Sequence, residues 1–307
     1  MFDYDAVIIG GGPAGLTAGL YLGQANRRTI MLDKEGFGGY IKNLELVENY
    51  PGFAKGVPGA QLSSEMVQQA AEYGLLMEMA EVNSIELFSS TRWVGCADGK
   101  GYTTAVVIIA AGTRRKKLGV PGEEEFMGKG VFHCAMCDGG EFADRVVAVC
   151  GGGNAGLTEA LYMTKLASKV ILIEAAPELT ANALLQSRAQ SNSKMEIRTG
   201  VKVTAMTGND HLKALELDAG GKKETLAVDG ILVDVGIEPN TEYLEGIVPL
   251  DEQGRVIVNT GMETEVPYIL AAGDVRSGSP CQIATAVGDG ALAAITAQRL
   301  LQEIVEE

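Results

Sequence analysis

Two cysteines separated by two residues, in His133-Cys134-Ala135-Met136-Cys137-Asp138, are the residues whose types and spacing point most directly to chemistry. A Cys-x-x-Cys pair closes a small disulfide ring and reopens as a dithiol, which makes it a two-electron store. Zinc is the competing use of such a pair, but a zinc site needs four ligands. The remaining cysteines, Cys96, Cys150 and Cys281, and the other histidine, His211, stand singly with no second pair. The pattern therefore favours redox chemistry over a metal. Asp138 reads either as a proton donor to a leaving thiolate or as a turn residue before Gly139-Gly140. His133 reads either as a cation that lowers the pKa of Cys134 or as a plain loop residue.

The composition bounds the rest. A chain of 307 residues suggests about two domains, and 46% apolar residues suffice for ordinary cores. A net charge of -15 excludes nucleic acid as a partner, because phosphates would be repelled. No basic segment with an apolar stretch opens the sequence, no apolar run reaches about 18 residues, and five cysteines at uneven spacing make no secreted disulfide scaffold. The expectation is a soluble cytoplasmic protein with no membrane contact.

The elements that must position the cysteines are legible as a repeated unit. Ala6-Val7-Ile8-Ile9 is a buried parallel strand, followed by Gly10-Gly11-Gly12-Pro13-Ala14-Gly15, a helix to about Ala25, and a strand Thr29-Leu32 that ends in Asp33. Glycines at this spacing let a pyrophosphate approach the backbone at a helix N-terminus, and the acid 23 residues after Gly10 suits ribose hydroxyls. The unit returns at an offset of 141: Val147-Cys150, then Gly151-Gly152-Gly153-Asn154-Ala155-Gly156, then Val170-Ile173 ending in Glu174. Between the two units, Gln61 to about Tyr73 reads as a helix, Leu75 to about Trp93 as two or three strands of an added sheet, and Thr104-Gly112 as a buried strand. The stretches Thr113-Gly119 and Glu238-Thr241 read as crossings. Tyr268-Asp274 is a last strand that the first unit needs, and a helix from about Ile283 to Glu303 closes the chain. The fold class is α/β, with two Rossmann-like dinucleotide-binding domains, the second inserted in the first: residues 1–114 with 245–307, and residues 115–244.

Two dinucleotide folds with a Cys-x-x-Cys just before the second resemble a low-molecular-weight thioredoxin reductase, and the resemblance covers nearly the whole chain. It is carried by Gly10–Gly15, Gly38-Gly39, Val47–Phe53, Ala110-Ala111-Gly112, Cys134–Asp138, Gly151–Gly156, Gly236–Thr241 and Ala272-Gly273-Asp274. It implies FAD in the first domain, a nicotinamide cofactor in the second, a homodimer, domain rotation about the two crossings, and electron flow to a thioredoxin-like protein. It assigns Gly10, Gly12, Pro13, Ala14 and Gly15 to the FAD pyrophosphate and Asp33, Lys34 or Glu35 to its adenosine ribose. Asn49 and Asp274 go to the flavin end, with Asp274 on the ribitol and Gln282 at the isoalloxazine edge, and Gly39, Tyr40, Gly112, Gly273 and Ile283 count among the cofactor-binding residues. Gly151, Gly153, Asn154, Gly156 and Glu174 would hold the second nucleotide. Cys137 would lie nearer the flavin, Asp138 would protonate it, and Cys134 would attack the partner disulfide.

The sequence departs from the family pattern at three places. NADPH-using members carry His-Arg-Arg and a further Arg after the second unit's strand, where this chain has Glu174-Ala175-Ala176-Pro177-Glu178. Carboxylates repel a 2′-phosphate and suit free ribose hydroxyls, so NADH is expected rather than NADPH. Relatives that use no pyridine nucleotide, drawing instead on ferredoxin or another flavin or deazaflavin, are the alternative, as is a dithiol oxidase that passes electrons to oxygen. A redox-sensing flavin protein without turnover is a third reading. Tyr40 stands where the family usually has Gln. Cys281-Gln282 replaces Arg-Gln, and Cys281 reads either as a third redox thiol or as a small filler at a helix start.

Overall fold

The computed structural model describes residues 2–89 and 91–306. The chain divides into two compact units, Met1–Arg114 with Glu238–Glu307, and Arg115–Ile237. In chain order the first unit runs β1 (Tyr4–Ile9), α1 (Pro13–Gln24), β2 (Thr29–Asp33), α2 (Gly59–Glu72), β3 (Leu76–Met79), β4 (Val82–Leu87), β5 (Arg92–Cys96) and β6 (Gly101–Ile109), and β7 (Thr113–Arg115) crosses into the second, which begins at Arg115. The second holds β8 (Val131–Phe132), α3 (Ala135–Asp138), β9 (Val146–Cys150), α4 (Asn154–Met163), β10 (Lys169–Glu174), α5 (Ala183–Gln190), β11 (Met195–Thr199), β12 (Lys202–Gly208), β13 (Leu212–Ala219), β14 (Lys222–Ala227) and β15 (Gly230–Val233), and β16 (Ile237–Pro239) crosses back. The chain then returns to the first unit with β17 (Ile269–Ala271) and α6 (Ile283–Glu306).

Strict alternation sets the two faces of the first sheet. Ala6 and Ile8 of β1 pack with Met31, Val106 and Ile108 against α1, α2 and the small-residue face of α6. Val7 and Ile9 point the other way, onto Leu244, Val248 and Val256. Ile8, Met31 and Ile108 are fully buried, each contributing about 1.5–3 kcal/mol by leaving water.

The strands after α2 do not form a separate sheet. β3 pairs parallel to β2, and β5 pairs antiparallel to β6, so all of them extend the first sheet in the order β3-β2-β1-β6-β5-β4. The nine residues of β6 explain how. Its first half, Gly101–Thr104, pairs with β5, while Val107–Ile109 pairs parallel with β17. One strand long enough to take two successive neighbours along the same edge is a length effect that local patterning does not display.

The second unit has a parallel sheet in the order β11-β10-β9-β15-β8. Helices α4 and α5 cover one face through Leu157, Ala160, Met163 and Ala189. The antiparallel β12-β13-β14 sheet covers the other, through Val203, Met206, Leu215 and Leu217. Among the described residues, no helix is long and apolar enough to cross a membrane.

Candidate active site

Both glycine loops are built by the same hydrogen bonds, again at the offset of 141. Gly10 N–H donates to Leu32 O at 2.8 Å, and Gly151 N–H donates to Ile173 O at 2.9 Å. Asp33 takes the Gly11 N–H on Oδ2 and the Glu35 N–H on Oδ1, both at 2.7 Å. Glu174 does the same, taking the Gly152 N–H at 2.5 Å and the Ala176 N–H at 2.7 Å. Each acid thus ties the loop to the end of its strand, a role that the sequence reading, which reserved it for ribose, did not foresee.

The glycines divide into two kinds. Gly10 has φ +109°, and a Cβ there would stand 2.2 Å from Ala110 O; a Cβ on Gly15 would stand 2.0 Å from Gly10 O. Gly151 and Gly156 repeat this at 1.9 Å from Asp234 O and 2.0 Å from Gly151 O. These four serve the protein's own packing. A Cβ on Gly12 would meet nothing nearer than Gly39 Cα at 3.9 Å, and on Gly153 nothing nearer than Thr180 Oγ1 at 3.7 Å. Gly12 and Gly153 are also the N-caps of α1 and α4, and no side chain caps either helix. Bare helix ends facing open space fit a pyrophosphate, so the residues present suit FAD in the first unit and a second dinucleotide in the other.

The first unit also assembles the residues expected at the flavin end. Asn49 Nδ2 donates to Gln282 Oε1 at 3.0 Å. Ile283, the first residue of α6, packs with Ile41, Val47 and Val57, next to the short 3-10 turn that begins at the half-exposed Tyr40. Gly39 approaches Gly12, where a Cβ would stand 2.7 Å from its Cα, and Gly273 approaches Ala14, at 2.9 Å from its Cβ. Gly112 has φ +63° and open space beside it. Burial raises the pKa of the Asp274 carboxyl, opposed by a hydrogen bond from Ser279 and by Arg255. Lys34 pairs with Glu81 at 3.6 Å, at the surface.

In the second unit Asn154 accepts on Oδ1 from the N–H of Asn182 at 2.8 Å and from its side chain at 3.1 Å. A hollow of about 400 Å³ beyond β10 is lined by Glu178, Leu179, Gln186, Gln190, Ile197 and Thr199, with no cation in the lining.

Cys134 and Cys137 are closed as a disulfide, with Cα atoms 5.3 Å apart, within the span such a bond allows. Ala135–Asp138 form α3, which Cys134 caps: its Sγ accepts the Cys137 N–H at 3.1 Å. Cys134 is buried, while Cys137 and Met136 are exposed. Asp138 is exposed as a residue, yet partial burial raises its carboxyl pKa, with Glu141 adding to the shift and His133 opposing it. His133 Nδ1 lies 3.0 Å from Val233 O. Under this segment lies a charged cluster that no motif announced: Arg115, Glu159 and Asp234, with Glu159 accepting the Ala135 N–H at 2.8 Å. Cys281 contacts both terminal nitrogens of Arg255 at 3.7 Å.

A nucleotide-type loop in each unit and a closed Cys-x-x-Cys define a pyridine nucleotide-linked disulfide oxidoreductase. The comparisons agree: the profile of the pyridine nucleotide-disulphide oxidoreductases matches residues 4–290. The chain belongs to this family, among the low-molecular-weight thioredoxin reductases. It is 37% identical over 306 residues to the thioredoxin reductase of Bacillus subtilis, covering 99% of this chain and 96% of that one. A bifunctional thioredoxin reductase/thioredoxin of Mycobacterium leprae is 36% identical, with 98% of this chain and 66% of that one covered. Among solved structures, the thioredoxin reductase of Lactococcus lactis superposes with a TM-score of 0.95 at 34% identity, over 98% of this chain and all of that one. That of T. acidophilum gives 0.91, also at 34%, over 98% and 99%. The protein is a flavin-dependent disulfide oxidoreductase of the thioredoxin reductase type.

Proposed function

We propose that the chain uses NADH to reduce a thioredoxin-like protein in the cytoplasm, working as a homodimer through FAD and the Cys134–Cys137 pair. The carrying observation is the chemistry around Glu174. Its carboxylate and that of Glu178 stand where a 2′-phosphate would need cations, whereas ribose hydroxyls are natural donors to such acceptors.

When bound, FAD supplies the two-electron relay between nicotinamide and disulfide. The chain's own part is positioning. Gly12 to Gly15 present the end of α1 to the pyrophosphate, Asp33 and Glu35 face the adenosine ribose, and Asn49 with Gln282 borders the flavin end beside Asp274. Gly153, at the end of α4, does the same for NADH beside Asn154, with Gly151 and Gly156 shaping the turn by close packing and Glu174 toward the ribose. Cys134 attacks the partner's disulfide, forming a mixed disulfide that Cys137 resolves. Asp138, whose carboxyl pKa partial burial raises, supplies the proton as the disulfide opens and recovers it on closure.

Specificity constants for NADH and NADPH in thioredoxin-coupled insulin reduction test the reading. NADH is expected to be the better donor; an equal or greater value for NADPH overturns the assignment. Flavin that bleaches with reduced ferredoxin and not with NADH replaces the donor altogether. Oxygen uptake driven by small dithiols, without insulin reduction, would make the protein an oxidase.

A further inference from the structure

Three charged side chains from distant parts of the sequence meet beneath the disulfide, all within the second unit. Glu159, on α4, accepts the Ala135 N–H on Oε2 at 2.8 Å and pairs through Oε1 with Arg115 Nη2 at 2.8 Å. Arg115 Nη1 stands 2.8 Å from Asp234 Oδ2. That second contact is an ion pair by distance only, since neither atom meets hydrogen-bond geometry there. Glu159 and Asp234 are each 8% exposed, and Ala135 is fully buried.

A buried carboxylate persists where donors satisfy it. Here one oxygen is held one peptide bond from Cys134, and the other is balanced by a guanidinium. Reduction of the disulfide adds two electrons; one sulfur takes up a proton and the other is left as thiolate. The stability of that thiolate follows the charge around it.

We propose that Glu159 and Arg115 are positioning residues for the redox pair: Glu159 holds the Cys134–Cys137 turn by the Ala135 N–H, and the balance of the two charges sets how easily the disulfide is reduced. This rests on Cys134–Cys137 being the working redox pair. The two residues then act with opposite signs. Glu159→Gln keeps an oxygen for Ala135 but removes the anion, so the dithiol gains. Arg115→Met removes the cation, so the disulfide gains. Arg115→Lys restores the charge and stays close to the parent protein.

The test equilibrates the FAD-loaded protein and each variant in glutathione redox buffers, quenches with an alkylating reagent and counts free thiols at Cys134 and Cys137 by mass spectrometry. Glu159→Gln is expected to shift the equilibrium about tenfold toward dithiol, roughly 30 mV, and Arg115→Met a comparable factor toward disulfide. Either variant lying within twofold of the parent, or both moving the same way, overturns the proposal, so one folded variant suffices. A parent protein whose Cys134 and Cys137 stay unreduced in every buffer, or whose turnover survives serine at either position, refutes the redox pair itself, a separate failure.

Discussion

Asn49 donates its side-chain amide to Gln282 across 233 residues of sequence, a bond between a loop of the first unit and the entrance to α6. Both partners are exposed amides, so the bond alone contributes about 1 kcal/mol at most. On the proposed function, its value lies in fixing two groups against FAD. Asn49→Leu and Gln282→Leu are each expected to weaken FAD binding about tenfold while leaving the melting temperature of the apoprotein within a degree or two. Fluorescence of FAD released on dilution measures the first, and calorimetry the second.

Glycine substitutions separate packing from binding. Gly15→Ala places a methyl 2.0 Å from Gly10 O and is expected to cost several kcal/mol of stability in the apoprotein. Gly12→Ala meets no close neighbour, so the apoprotein should fold normally and fail to retain FAD. Gly153→Ala should spare FAD content and raise the KM for the nicotinamide nucleotide. Apoprotein melting temperatures together with the FAD absorbance of purified variants check all three.

Donor choice should respond to charge at one exposed position. Glu178→Arg exchanges a carboxylate lining the hollow for a cation and is expected to raise kcat/KM for NADPH at least tenfold, about 1.4 kcal/mol, with little loss for NADH. Glu174 is the poorer choice for this exchange, because both its oxygens hold backbone N–H groups. Glu174→Ala should instead lower the stability of the second unit by about 1–3 kcal/mol, seen as a lower urea midpoint.

Asp138 has its pKa raised in the folded protein by partial burial and Glu141, so the fold favours its neutral form. Proton donation is then fully present on the acid side and declines as pH rises through that pKa. Asp138→Asn should lower turnover by about 10²-fold and remove this descending limb from the pH profile, with FAD content unchanged. Stopped-flow traces of disulfide reduction, scanned upward from the acid limit of the folded protein, decide it.

Thiol titration of the native, oxidised protein should find a single accessible sulfhydryl. Cys96 is buried, with a raised pKa, and Cys150 is pushed up to about 12 by burial, with Glu174, Glu123 and Asp234 adding to it. Cys281 is only half buried and contacts a guanidinium. Cys281→Ser should therefore abolish fast labelling and leave turnover within twofold of the parent.

The glycine loops, their terminal acids and the Cys-x-x-Cys were legible because each is a local pattern read within about 25 residues. The strand pairing of β3, β4 and β5 was not, because the sheet they join depends on β6 offering one edge to two successive partners. Arg115, Glu159 and Asp234 left no signal. In sequence they are a crossing residue, a helix residue and the residue after a strand, and only the folded unit brings their charges together. Asp33 and Glu174 were found for a ligand and turn out also to hold their own loops, because an acid at a strand end serves whichever donors reach it.

That clamping has a consequence for how nucleotides arrive. Because carboxylates from the following strands already fasten both loops, neither seat has to be shaped by its guest. The conformational entropy of these turns is lost when the chain folds rather than when a cofactor docks, so association can proceed as a lock accepts a key, and a vacated seat keeps its form for the next molecule.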